Sequence, residues 1–230
     1  MKKKYDTLLF DVDDTLLDFG AAETQALGKL FNDLGIELDA EIEASYKSYN
    51  QSLWKKLEVG SITRKQLLAM RFPTFFKKYF SLDVDADVLT PKYMNYLSMG
   101  HEEVCGARRL LTSLKNSEHK LYVVSNGNLD VQNRRLRDSG FGDYFEQIFI
   151  SEKMGVKKPD KEFFDVVERS IEGFVPERAV VIGDSLTSDI KGANNAGLDS
   201  VWFNPNGSRN ETENKPTYEV KNLNEINKLV

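Results

Sequence analysis

The sequence is poor in cysteine and histidine: its 230 residues include one cysteine and two histidines. A single cysteine cannot form an internal disulfide, which is typical of proteins that fold in a reducing compartment. Cys105 has no paired histidine in a recognisable catalytic setting, so we expect it to be a packing residue and not a nucleophile. We expect both histidines, His101 and His119, to be surface or linker residues.

Long apolar runs are also missing. The apolar run Leu8–Phe10 follows a lysine-rich N-terminus and stops at Asp11, so it is too short for the apolar region of a signal peptide. No segment approaches the roughly 20 consecutive apolar residues of a membrane-spanning helix. The sequence therefore predicts a cytoplasmic protein with no membrane partner.

Acidic residues outnumber basic ones, which gives a formal net charge of −5. No global positive field would attract nucleic acid, so we expect no nucleic-acid partner. The local basic group Arg134, Arg135 and Arg137 is typical of the polar face of a helix. Hydrophobic residues make up 40% of the chain and charged residues 29%, as in an ordinary globular protein with a sizeable core.

Short apolar runs that end in polar residues recur along the chain. They are continuous and not alternating, as expected for parallel strands that are covered on both faces. Helical patterns over residues 160–172 and 188–197 lie between them. This alternation predicts an α/β fold with a doubly wound, Rossmann-like parallel sheet. The first segment, Tyr5–Val12, is predicted to be a buried strand that ends in acids, and the later apolar runs are Leu121–Val124, Ala179–Ile182 and the shorter Val201–Phe203.

Residues 19–98 have a different pattern, with helical apolar stripes and no convincing strand. We predict an all-helical insertion over 19–98, inside an α/β core domain formed by residues 1–18 and 99–230. One of its helices begins at Thr63, in a capping box with Gln66, or at Ser61. The segment 205–217, rich in Asn, Glu and Pro, is predicted to be a surface loop.

Polar residues at the ends of the apolar runs are the candidate site. Ligands bind at the carboxyl ends of the strands in such sheets, and Asp11, Ser125 and Asp184 each follow an apolar run. Asp11 and Asp13 are two residues apart, so both can converge on one site. The Ser125 hydroxyl and nearby backbone N–H groups can hold a phosphoryl oxygen.

Two further features fit an anionic substrate. Lys158 precedes Pro159 at the start of a helical segment and supplies a compact positive charge that screens the substrate from a carboxylate nucleophile. Asp184 and Asp189 offer oxygen ligands of the kind that Mg²⁺ prefers. Covalent catalysis by an aspartate, followed by acid–base help from a second acid, is consistent with this set of residues.

The ordered set of motifs resembles the haloacid dehalogenase superfamily, and the resemblance covers the whole chain. The helical insertion resembles the C1 cap of that family. The motifs are Asp11-Val12-Asp13-Asp14-Thr15, Ser125-Asn126, Lys158-Pro159, and Gly183-Asp184-Ser185 continuing to Asp189.

The resemblance implies a role for each matched residue. Asp11 would be the nucleophile and a Mg²⁺ ligand. Asp13 would be the general acid and base, and its backbone carbonyl would also bind the metal. Asp184 would be a metal ligand, and Asp189 would support either the water shell of the metal or Lys158.

The remaining matched residues would hold the phosphate. The resemblance implies phosphate binding by Thr15, Ser125, Asn126 and Lys158, the last of these also being catalytic. Lys157 is the rival to Lys158, but the family pattern places the lysine directly before proline.

The presence of Asp13 implies phosphoryl chemistry, because the dehalogenases of the superfamily lack this second acid. The related sugar-phosphate mutases carry a histidine shortly after the first motif, where this chain has none over Asp18–Thr24. A mutase is therefore disfavoured. A binding module on the same fold is disfavoured as well, since Asp11, Asp13 and Asp184 are all retained.

Within the superfamily the chain resembles the pyrimidine 5′-nucleotidase branch, through Asp13–Phe19, Gly155–Pro159 and Val201–Asn204. That resemblance implies a Mg²⁺-dependent phosphomonoesterase that acts on nucleoside monophosphates such as UMP, dUMP and dTMP. The alternative is a phosphatase for a sugar phosphate or another small phosphorylated metabolite. We expect a monomer or a weak oligomer.

Overall fold

A computed structural model describes residues 5–230. Residues 1–4, which the sequence analysis assigns to the core domain, lie outside the described part. The chain divides into two compact units: residues up to Phe19 with His101–Val230, and Gly20–Gly100. The domain boundaries drawn from the sequence stay a prediction.

Helices and strands alternate in the first unit, whereas the second contains helices. Within residues 5–230 the strands are β1 (Thr7–Phe10), β2 (Lys120–Ser125), β3 (Gln147–Ile150), β4 (Ala179–Gly183), β5 (Asp199–Phe203) and β6 (Tyr218–Val220). The α-helices there are α1 (Phe19–Asp33), α2 (Ala40–Glu58), α3 (Arg64–Phe80), α4 (Ala86–Leu97), α5 (Ala107–Asn116), α6 (Leu129–Asp138), α7 (Ser151–Met154), α8 (Lys161–Ser170) and α9 (Lys191–Ala196).

The first unit is built on a parallel sheet with the strand order β3-β2-β1-β4-β5-β6. All neighbouring strands run parallel, which confirms the predicted doubly wound α/β fold. The order changes direction between β1 and β4, where the carboxyl ends of the strands form a crevice suited to a ligand.

Alternate side chains of β1 enter two separate hydrophobic cores. Leu8 and Phe10 pack with Leu110 of α5 on one face of the sheet, and Leu9 packs with Phe163 of α8 on the other. Because both faces are covered, every position of the strand is buried. This explains why the sequence of β1 is apolar without alternation.

The second unit is held together by aromatic packing among its helices. Tyr46 of α2 stacks on Phe72 of α3 with ring centroids 5.7 Å apart, and Phe72 meets Tyr93 of α4 edge-on at 5.2 Å. Thr63 forms the predicted capping box with Gln66 at the start of α3. The alternative start at Ser61 is therefore wrong.

Two strands and two helices differ from the sequence prediction. The predicted helix over 188–197 is a π-helical turn over Leu186–Ile190 followed by α9, and the helix predicted over 160–172 is shorter, α8. Strands β3 and β6 have only four and three residues, and their partly exposed positions gave no continuous apolar run. The loop over 205–217 is present and mostly exposed.

In the part of the chain that the structure describes, we find no helix with the length and apolar character that crossing a membrane requires.

Candidate active site

The end of β1 brings Asp11 to the carboxyl edge of the sheet. Its backbone N–H donates to the carbonyl of Ile182 at 2.9 Å, so the pairing with β4 extends to this residue. The chain then turns at Asp14, whose φ of 55° lies in the left-handed region that aspartate tolerates. This turn places Asp13 and Thr15 beside the same edge, as the two-residue spacing predicted.

Lys158 lies at the centre of the site with a side chain that is only 1% exposed. Its Nζ donates to Asp11 Oδ1 at 2.8 Å, to Asp189 Oδ1 at 2.6 Å and to the carbonyl oxygen of Val124 at 2.7 Å. Burial lowers the pKa of Lys158, but the charges of Asp11 and Asp189 outweigh it and leave that pKa above its usual value. The ammonium is therefore charged and fixed against Asp11.

The side chain of Asn126 forms hydrogen bonds to the backbone of Lys158. Its Oδ1 accepts from the Lys158 N–H at 2.9 Å, and its Nδ2 donates to the Lys158 carbonyl at 2.8 Å. The neighbouring Lys157 forms an ion pair with Asp160 at 3.0 Å. The structure therefore brings Lys158, and not its rival, to Asp11.

Three carboxylates meet at this edge of the sheet. Oxygen atoms of Asp11, Asp184 and Asp189 all lie within 4.8 Å of one another. Both oxygens of Asp189 have donors, since Oδ1 accepts from Lys158 and Oδ2 accepts from the Ser185 N–H at 3.1 Å. Within residues 5–230 no lysine or arginine forms an ion pair with Asp184, and the Thr15 hydroxyl donates to its Oδ1 at 3.4 Å.

The charges in this cluster do not balance. Lys158 offsets one of the three negative charges. Burial raises the pKa of the Asp11 carboxyl to about 8 against the opposing effect of Lys158. Burial also raises the pKa of Asp184, and the negative charges of Asp189 and Asp11 add to this effect. An all-oxygen cluster with excess negative charge and an unpaired carboxylate fits a divalent cation such as Mg²⁺.

Gly183 permits the close approach of Asp189 to β4. A Cβ atom at this position would overlap the Asp189 carboxylate, which is fully buried. Glycine at the end of β4 is therefore a packing requirement of the site. The glycine makes room for Asp189, and Asp184 follows directly at the open edge.

Ser125 and Thr15 are buried beside these carboxylates. The Ser125 Oγ accepts from the Gly127 N–H at 3.1 Å and from Gln132 Nε2 at 3.0 Å. It retains its own hydrogen as a donor, which suits a phosphoryl oxygen. The structure therefore brings the predicted residues of all four motifs to one edge of the sheet.

Sequence reasoning missed two residues of α6 that contact Asp13. Gln132 Nε2 donates to Asp13 Oδ2 at 2.7 Å, and Arg135 Nη1 donates to Asp13 Oδ1. The interpretation of Arg135 as part of a polar helix face was wrong, because its side chain is buried and forms an ion pair with Asp13. Arg134 and Arg137 do lie at the surface. The basic cluster alone could not show which arginine turns inward.

Comparison with known proteins decides the family. A family model described as haloacid dehalogenase-like hydrolase matches residues 5–197. The chain belongs to the haloacid dehalogenase-like hydrolases. This confirms the family resemblance and the prediction that the chain is an enzyme of the hydrolase class.

Similar members of this hydrolase family come from bacteria. The pyrimidine 5′-nucleotidase PynA of Streptococcus pneumoniae is 43% identical over 94% of this chain and 91% of its own length. The pyrimidine 5′-nucleotidase YjjG of Escherichia coli is 32% identical over 99% and 98%. The crystal structure of the HAD-hydrolase YfnB of Bacillus subtilis, bound to magnesium, has a TM-score of 0.93 and 45% identity and covers 99% of each chain.

A cavity of about 870 Å³ opens beside the acidic cluster of the hydrolase. Asp184, Asp14 and Trp202 are among the residues that line it, so it connects the candidate metal ligand to open space. Cys105 also lines this cavity and is exposed. The expectation that Cys105 is a packing residue was therefore wrong, because it precedes α5 on the wall of the cavity and not in the core.

Proposed function

We propose that this hydrolase is a Mg²⁺-dependent phosphomonoesterase that acts on pyrimidine nucleoside 5′-monophosphates through a phosphorylated Asp11. The observation that carries the reaction class is the buried group of Asp11, Lys158, Asp184 and Asp189. The names of PynA and YjjG support the substrate class. Under this proposal, the binding partner of the protein is a small phosphorylated metabolite. The cytoplasmic location and the monomeric or weakly oligomeric state remain predictions.

In the first half-reaction the Asp11 carboxylate attacks phosphorus, and the bond from phosphorus to the leaving oxygen breaks. Asp11 Oδ1 is held by Lys158, and Oδ2 accepts no hydrogen bond from residues 5–230, which leaves it available for attack. Asp13 gives its proton to the leaving oxygen, so the nucleoside departs as a neutral alcohol. The product on the protein is the aspartyl-phosphate of Asp11.

In the second half-reaction water attacks the phosphorus of the phosphorylated Asp11. Asp13, now ionised, takes a proton from that water. The bond between phosphorus and the Asp11 oxygen breaks, which restores the carboxylate and releases inorganic phosphate. Asp13 is then protonated again, and the cycle is complete.

Asp11 and Asp184 would hold Mg²⁺ with their carboxylates, and Asp13 would hold it with its backbone carbonyl. When bound, the cation supplies positive charge that offsets the repulsion between a carboxylate and a phosphate. Asp189 has both oxygens engaged by Lys158 and the Ser185 N–H. We therefore assign it to the support of Lys158, the second of the two roles that the resemblance allowed.

Four residues are proposed to form the phosphate site, two by direct contact and two indirectly. Ser125 and Thr15 have hydroxyls at the site. Lys158 has partners for all three of its hydrogens, so it acts through its charge and through the orientation of Asp11. Asn126 acts by holding the Lys158 backbone.

The test is a comparison of kcat/KM on UMP, AMP, glucose 6-phosphate and p-nitrophenyl phosphate, each with Mg²⁺ and with EDTA. We expect hydrolysis that requires Mg²⁺ and a preference for UMP. Equal rates on UMP and glucose 6-phosphate would favour the sugar-phosphate alternative and leave the phosphatase assignment intact. No hydrolysis of any phosphate with Mg²⁺, or full activity in EDTA, would contradict the reaction class itself.

A further inference from the structure

Helix α6 presents two buried polar side chains to the candidate acid. The helix begins after Asn128, whose side chain accepts from the Val131 N–H and caps the first turn. Gln132 and Arg135 are three residues apart, so they lie on the same face of the helix. Gln132 is 1% exposed and Arg135 is fully buried.

The two side chains hold both oxygens of the Asp13 carboxylate. Arg135 Nη1 forms an ion pair with Oδ1, and Gln132 Nε2 donates to Oδ2 at 2.7 Å. Arg135 Nη1 also donates to Gln132 Oε1 at 3.2 Å, so the two residues fix each other. With both oxygens engaged, the plane of the carboxylate is set by α6.

Gln132 also connects Asp13 to the phosphate-binding position. Its Nε2 donates to Ser125 Oγ at 3.0 Å in addition to Asp13. The loop between Ser125 and α6 packs tightly on this side chain, because a Cβ at Gly127 would lie 2.6 Å from Gln132 Cγ. Gln132 is therefore closely packed in the position from which it contacts both residues.

The burial of Arg135 has an energetic cost. Burying a guanidinium loses its hydration, and an ion pair repays this only in part. The Asp13 side chain is 29% exposed and faces the site. Arg135 therefore does not pair with a carboxylate of the hydrophobic core. Without these contacts, Asp13 would be free to rotate on the turn that follows β1.

We infer that Gln132 and Arg135 are positioning residues that hold the Asp13 carboxylate in the orientation needed for proton transfer, and that Gln132 couples this orientation to Ser125. The inference rests on the proposed function, in which Asp13 protonates the leaving oxygen. Neither side chain is assigned a contact with substrate. Their effect on the reaction passes through Asp13.

The experiment compares Arg135→Met and Gln132→Leu, each alone and each combined with Asp13→Asn. A nucleoside monophosphate has a poor alkoxide leaving group that needs the acid, whereas p-nitrophenyl phosphate has a good one. We expect kcat/KM on UMP, which reports the first half-reaction, to fall by on the order of 10²-fold in either single variant, since small misplacements of a catalytic group cost this much. The fall in kcat/KM on p-nitrophenyl phosphate should be much smaller. In the Asp13→Asn background neither change should lower kcat further.

Controls separate positioning from folding. Arg137→Met changes the same charge on an exposed position of α6 and should leave kcat unchanged. Arg135→Lys, which keeps the charge, should recover part of the activity on UMP. Circular dichroism and thermal unfolding check that each variant is folded. If Arg135→Met does not fold, Gln132→Leu and Arg135→Lys decide the question by the same criteria.

Two outcomes would overturn the inference while the proposed function stands. One is an equal loss of kcat/KM on both substrates, and the other is a further loss in the Asp13→Asn background, since either would show a role outside Asp13. If the wild-type chain hydrolyses neither substrate with Mg²⁺, the proposed function fails first. The two failures are therefore distinguishable.

Discussion

At the scale of single residues, Lys158 organises the chemistry of the site. A buried ammonium is unfavourable unless all of its hydrogens have partners, and here two carboxylates and a backbone carbonyl accept them. Removing one partner leaves an uncompensated charge, so the two carboxylates are not interchangeable with neutral residues. Asp11 has the free oxygen of this pair, whereas Asp189 has none.

Asp11→Asn should abolish turnover, because an amide cannot form the phosphorylated intermediate. Mass spectrometry after an acid quench with p-nitrophenyl phosphate should find phosphate on the peptide that contains Asp11 in the wild type, and none in the variant. Asp130→Asn, an exposed carboxyl in the first turn of α6, is the matched control and should retain full activity. Phosphate on Ser125, or wild-type turnover in Asp11→Asn, would contradict the assignment of the nucleophile.

Asp13→Asn should lower kcat on UMP by about 10²- to 10⁴-fold, the usual range for general acid–base catalysis. The backbone carbonyl of Asp13 is unchanged, so Mg²⁺ binding, measured by titration calorimetry, should be retained. On p-nitrophenyl phosphate the variant should form the phosphorylated enzyme but hydrolyse it slowly. Rapid turnover of the phosphorylated variant would show that another group activates water.

At the scale of elements, two glycines differ in the space around them: a side chain at Gly183 of β4 would overlap the site, whereas one at Gly28 of helix α1 would not. Gly183→Ala should destabilise the protein by about 1–3 kcal/mol, the usual cost of overpacking, because the new methyl group overlaps Asp189. It should also lower activity, since Asp189 holds Lys158. The measurements are denaturant unfolding and kcat.

The matched control is Gly28→Ala in α1, where an added Cβ meets no heavy atom within 4 Å. This change should stabilise its helix by about 0.5–1 kcal/mol, because alanine loses less conformational entropy on folding than glycine does. It should leave kcat unaltered. Equal stability and activity in the two variants would show that the space around Asp189 is not limiting.

The elements also show what the sequence could predict. Residues such as Asp11 and Asp184 were found because they follow buried strands, and the topology of a parallel sheet then brings them together. Gln132 and Arg135 could not be found in this way. Their contact with Asp13 depends on the rotation of α6 about its axis over the sheet. The sequence pattern does not show whether an arginine on this helix faces solvent or a buried acid. The edge strands β3 and β6 were missed because part of each is exposed.

At the scale of the whole molecule, the excess negative charge links metal binding to stability. Burial raises the pKa of Asp11 from its ordinary value of 3.8 to about 8, against the opposing charge of Lys158. The metal-free folded protein therefore retains a proton there that the unfolded chain loses, and the stability from this group falls as the pH rises from 3.8 to about 8. A divalent cation reverses that loss, because it binds the ionised carboxylates and must displace the proton.

Mg²⁺ should raise the thermal unfolding temperature of the EDTA-treated protein, and the increase should grow as the pH rises from about 5 to about 8. This measurement needs no substrate. Asp184→Asn removes one proposed ligand and should lose most of the Mg²⁺-dependent increase at every pH, whereas Asp130→Asn should behave as the wild type. An increase that does not depend on pH would show that protons and Mg²⁺ do not compete for the same carboxylates. An unchanged increase in Asp184→Asn would place the cation elsewhere and remove Asp184 from its proposed role.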